Sequence, residues 1–154
     1  MNTWYYISVW LHIICVSFWI GGMLFLPLAV LPVIKNLPER ATLLMETGLK
    51  FRLYGYIALA VALLTGITNI YLRGIRVSAN FFVASRYGNL VIVKFVLFLF
   101  IIAIGSWHDA HARKRLLSEE NNNKFKSVAR WSGRLMLLIS LTMAFVGVIL
   151  SRGG

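Results

Sequence analysis

Acidic residues are scarce in this chain. Five Asp and Glu stand against 16 Lys and Arg in 154 residues, a formal net charge of +11. The single cysteine, Cys15, excludes an internal disulfide and leaves the redox compartment unread. No stretch reads Gly-x-Ser-x-Gly, His-Glu-x-x-His or a glycine-rich phosphate loop, so hydrolase, zinc-peptidase and nucleotide-binding readings lack a motif. The positive charge comes with no nucleic-acid recognition pattern, and no nucleic-acid partner is expected.

Apolar residues are abundant instead. They make up 59% of the chain, more than a water-soluble domain can cover with polar groups. Four runs, Trp4 to Ile34, Leu53 to Leu72, Leu90 to Trp107 and Trp131 to Leu150, reach or approach the length that spans a bilayer, roughly 20 residues. None alternates strictly and all are too long for barrel strands, so they are helices. The expected fold is all-α, an integral membrane four-helix up-down bundle forming one domain over residues 1–154. Its helices are placed at about 4–34, 53–72, 90–111 and 131–150. The first run has no basic leader and no small-residue cleavage site, so it is read as a span rather than a signal peptide.

In that topology the basic residues divide unevenly. Lys35, Arg40, Lys50, Arg52, Arg113, Lys114, Arg115, Lys124, Lys126, Arg130 and Arg134 fall on one side, against Arg73, Arg76, Arg86 and Arg152 on the other. The positive-inside bias then puts both termini outside and the two basic connections in the cytoplasm. The lipid bilayer is the first expected partner.

An imidazole inside an apolar run needs polar company. His12 lies about 12 Å along the first helix from Trp4, and Lys94 about 9 Å along the third from Gly88. The end of the second helix, Thr65-Gly-Ile-Thr-Asn69, returns to that depth. A shared polar site of His12, Lys94, Thr65 and Asn69 is therefore expected. Cys15 shares a helical face with His12, and Met23 lies further along the same helix, so both join His12 as candidate metal donors. A second candidate pair is His108 and His111, three residues apart. They lie about 21 Å along the helix from Lys94, too far to share the His12 site. A bis-histidine haem within one chain is thereby excluded, since no second histidine shares the depth of His12.

Three stretches carry a resemblance. "LH" at Leu11-His12 is followed by "WIGGMLF", then come "FRLYGYIALAVALLTG" and "YGNLVIVKFVLFLFIIAIG". Together they resemble the copper-resistance protein D (CopD) family of membrane proteins. That resemblance implies copper handling, by transport or resistance, with copper as the expected metal. Full-length CopD members commonly have eight helices, which implies that this shorter chain forms a homodimer or joins a larger membrane complex. The chain also resembles the related HemJ-type membrane protoporphyrinogen oxidases, whose helix-one histidine and helix-three lysine match His12 and Lys94. Their W-x-x-G-x-x-Y-L-P-R pattern meets "WIGGMLFLPL" here, with Phe25 in place of the tyrosine and Leu28 in place of the arginine. The second resemblance implies haem b, and an oxidoreductase in that case alone. A third reading is an accessory subunit. No catalytic residue is assigned.

Overall fold

The computed structural model describes residues 3–75, 79–117 and 123–153, with side chains described except at 41, 79–80, 83 and 108–129. Every regular element among them is helical. Helix α1 spans Thr3–Phe25 and runs through a π-helical segment, Leu26–Val30, into the short α2, Leu31–Val33. Helix α3 spans Arg40–Leu72, α4 Ala79–Ala84, α5 Arg86–Leu117 and α6 Asn123–Ser151. Among the described residues four helical stretches are long and apolar enough to cross a membrane: Thr3–Val33, Thr42–Leu72, Arg86–Trp107 and Arg130–Ser151. The protein is an all-α, multi-pass membrane protein.

The helices overrun the apolar runs that announce them. Residues 40 to 52, expected as a connection, form the first turns of α3. Arg, Leu, Met, Glu and Lys are good helix formers, and a helix once nucleated extends at little cost. Pro38, two residues before α3, marks where the chain turns. Pro27 and Pro32 do not end the first span. Proline lacks an N–H and crowds the carbonyl four residues back, and around Pro27 the ladder widens by one residue. The N–H of Leu31 reaches Leu26 O in the π pattern, and the N–H of Ile34 returns to Val30 O at 3.1 Å.

The chain divides into two compact units, Met1–Arg76 and Val77–Gly154. In the first, α1 and α3 pack antiparallel. The contacts descend in steps of three and four residues along α1, the spacing of one helix face. Arg73 Nε donates to Tyr5 Oη at 2.8 Å, and Ser8 Oγ donates to Thr65 O at 3.4 Å. Below them His12 meets Ala62 and Thr65, and Cys15 is buried with Ala58 and Ala62. Trp19 stacks on Phe51 at 5.9 Å between ring centroids. Small residues allow this approach: a Cβ at Gly55 would stand 2.8 Å from the Trp19 ring, and one at Gly22 would overlap Phe51. Helix α3 closes on Gly74, whose φ of 73° is accessible to glycine at little cost and whose N–H bonds Tyr71 O at 2.9 Å.

In the second unit the short connection after Leu117 returns α6 along α5. Ile101 and Gly105 are buried on α5, and Ser132, Ser140, Met143, Val146 and Leu150 on α6. Outward faces in both units are apolar, with Leu28 72%, Leu64 64% and Phe145 65% exposed. In water such surfaces would drive aggregation; against lipid tails they are solvated by their own kind.

Candidate functional site

His12 is half-buried on α1, facing α3. Its Nδ1 lies 2.8 Å from Ala62 O and 3.0 Å from Thr65 Oγ1. A carbonyl oxygen only accepts, so Nδ1 carries the proton and donates to both oxygens. The Thr65 hydroxyl is free to accept because its own hydrogen goes to a carbonyl of its helix, Val61 O at 2.7 Å or Ala62 O at 3.1 Å. The tautomer is thereby fixed, with the lone pair on Nε2. Gly66 completes the seat, since a Cβ there would stand 3.4 Å from Cε1 of the imidazole.

Donation of one ring N–H to a backbone carbonyl is how metal-bound histidines are held, because it fixes the ring and raises the basicity of the other nitrogen. Nothing in packing alone requires it: a leucine would fill the same space without two hydrogen bonds to satisfy. The same fork also serves a histidine that hydrogen-bonds another ligand, so the geometry specifies a donor atom and not its recipient.

Polar groups continue from His12 towards the Tyr5 and Arg73 end. Thr65 and Ser8 are buried. Asn69 stands one turn beyond Thr65 on α3, and its Oδ1 is buried with no hydrogen-bond partner. An orphaned buried acceptor costs about 1–3 kcal/mol, and among the described residues Asn69 carries such an oxygen.

Three of the expected residues, His12, Thr65 and Asn69, thus fall on facing surfaces of α1 and α3. Cys15 lies one turn from His12, packed into the Ala58 and Ala62 cluster. Met23 is half-buried eleven residues beyond His12 on α1, about 16 Å along the axis, so these two do not share one ion. Lys94 belongs to the second unit, half-buried on α5 with Nζ against Gly147 of α6. His108 and His111 lie on α5, but their side chains fall outside those described. Among the described residues no group of three His, Cys, Asp or Glu side chains is placed to enclose a metal ion.

Ser8, the Ala62 carbonyl and Gly66 are the contributors that sequence reading did not single out. Ser8 carried a signal, lying one turn before His12 on the same face. The carbonyl carried none, because every residue has one.

Comparison with known proteins places the chain. The model of the family described as copper resistance protein D matches residues 46–150, from the early turns of α3 to the end of α6. The chain belongs to the CopD family. Helix α6 lies inside the match, whereas α1 with His12 lies before it. Thr65, Asn69 and Lys94 lie within it. The chain is also similar to an uncharacterized protein of Aquifex aeolicus (strain VF5), 34% identical over 149 residues and covering 94% of each. No solved structure matches.

Proposed function

We propose that this CopD-family membrane protein handles copper, with His12 Nε2 as a coordinating atom and copper as its cargo. The observation that carries the reading is the double hydrogen bond of Nδ1, which holds the imidazole as metal-ligating histidines are held. Cys15, one turn away on the same face, adds a soft donor, and imidazole with thiolate suits Cu(I). His12 and Cys15 fit a low-coordinate ion passed on rather than one caged. The basic connections then face the cytoplasm of the inner membrane and both termini face outside, a reading that the distribution of Lys and Arg supports.

The test is copper content and Cu(I) titration of the detergent-purified protein. Stoichiometric copper in the wild type is expected, lost in His12→Ala and weakened in Cys15→Ala. Copper bound equally by wild type and His12→Ala would sink the reading.

A second reading has its own support. The described donors around His12 are few, and a porphyrin brings four nitrogens of its own. It asks the protein for an axial ligand and apolar walls. Haem b on His12 would make the protein a redox carrier or an oxidoreductase akin to the HemJ-type enzymes, with the haem supplying one-electron chemistry. Oxidised and reduced absorption spectra of the same preparation separate the two. A Soret band approaching one haem per chain, absent from His12→Ala, favours haem, and a colourless protein that binds copper favours the first reading.

A further inference from the structure

The five acidic residues of the chain cluster by position. Glu39 and Glu46 stand at the start of α3, and Asp109, Glu119 and Glu120 lie late in α5 or just after it. In each unit they belong to the end that carries the connection between its two long helices. The other end of each unit has cations and no Asp or Glu: Arg73 follows α3, Arg86 opens α5 and Arg152 follows α6.

Side chains on a helix lean towards its N-terminus, which for Lys94 on α5 is the end of the second unit without Asp or Glu. Its Cα is eight residues into α5, about 12 Å from the helix start. Its Nζ, however, lies 3.2 Å from where a Cβ on residue 147 would be. Gly147 is four residues from Ser151, the last of α6, or about 6 Å. A lysine stem that leans this way carries its ammonium closer to the helix start than its own Cα. Among the described residues it makes no hydrogen bond or ion pair. The nearest acid in its unit, Asp109, is fifteen residues along the same helix, about 22 Å away.

An ammonium at this depth needs a counter-charge, and among the described residues of its own unit no acidic side chain lies within reach. The C-terminal dipole of α6 favours a cation nearby but fades within a turn. Lipid phosphates lie where the side chain is heading. We infer that Lys94, seated against Gly147 in the unit whose helix ends also carry the exposed Arg86 and Arg152, binds the phosphate of an anionic phospholipid. The two guanidinium groups suit phosphate oxygens at the rim, while the lysine supplies the charge beneath them. A Cβ at 147 would stand 3.2 Å from Nζ, so a branched side chain there would push the ammonium out of this seat. The inference does not depend on what His12 binds.

The experiment compares wild type, Lys94→Met, Lys94→Arg and Gly147→Val in vesicles of phosphatidylcholine with and without phosphatidylglycerol. The readouts are the thermal unfolding midpoint and the lipid retained in native mass spectra. Phosphatidylglycerol is expected to raise the midpoint of the wild type and to remain bound through detergent extraction. Both effects are lost in Lys94→Met, reduced in Gly147→Val and largely kept in Lys94→Arg. Gly147→Val supplies the comparison alone if Lys94→Met does not fold. Equal lipid effects in wild type and these variants overturn the inference. A saturable, Lys94-dependent shift with inorganic phosphate in pure phosphatidylcholine would assign the site to a soluble anion and overturn the lipid assignment.

Discussion

Removing the Thr65 hydroxyl separates orientation of His12 from its presence. In Thr65→Val the imidazole keeps its bond to Ala62 O but loses the second acceptor at 3.0 Å. Hydrogen-bond partners of metal ligands typically contribute about 10–100-fold in affinity. With Ala62 O still in place, the lower figure applies, about 10-fold weaker metal binding at unchanged stoichiometry. A titration that shows no change in affinity would mean that Thr65 merely bonds its own helix. Cys15 illustrates a limit of reading residue types. A thiol beside a histidine suggests a ligand pair, yet the thiol also fills space between Ala58 and Ala62, and small apolar filling is what buried cysteines most often do.

Elements in this protein are shaped at their ends and joints. Between α4 and α5, Ser85 Oγ donates to Phe81 O at 2.6 Å and accepts the Gly88 N–H at 2.9 Å, a cap on the first turn of α5. The turn is tight enough that a Cβ on Gly88 would overlap the Phe81 carbonyl oxygen. Backbone cannot step aside as a side chain does, so Gly88→Ala is expected to destabilise by about 1–3 kcal/mol. The loss is read as a lowered unfolding midpoint in detergent. Gly133, around which nothing stands within 4 Å, provides the control: Gly133→Ala is expected to leave the midpoint unlowered. The joint in the first span works differently. There Pro27 is absorbed by a π-helical segment, which lets one span continue through a residue that would otherwise end it.

For the whole molecule, the charge distribution orients what the apolar helices insert. Eleven basic residues on the side of the two basic connections, against four on the other, predict cytoplasmic connections and external termini. Single cysteines introduced into a Cys15→Ser background, at Asn36 and at Gly153, are expected to label oppositely with a membrane-impermeant thiol reagent on intact cells. Position 153 should react and position 36 should not. The reverse pattern would invert the orientation and place the Arg73 and Arg152 ends in the cytoplasm.

Much of the fold was written in hydropathy. Four long apolar runs require four spanning helices because lipid offers the backbone no hydrogen-bond partners. The stripe of Lys94, Phe98, Ile101 and Gly105 could be read from helical spacing, and Ile101 and Gly105 are indeed buried. Membership in the CopD family was also legible, in the motifs of the second and third spans, whereas the first-span motif lies before the match. The register between helices was not, since apolar faces slide past one another at nearly equal energy until particular side chains interlock. Trp19 over Gly55, Phe51 over Gly22 and Lys94 against Gly147 are such locks, each known only once the helices are set side by side. The same holds for the candidate site. Sequence alone determined that His12 lies inside the membrane and needs a polar partner. Only tertiary structure decided that the partner is a backbone carbonyl of α3, which fixes the proton on Nδ1 and gives the imidazole its direction.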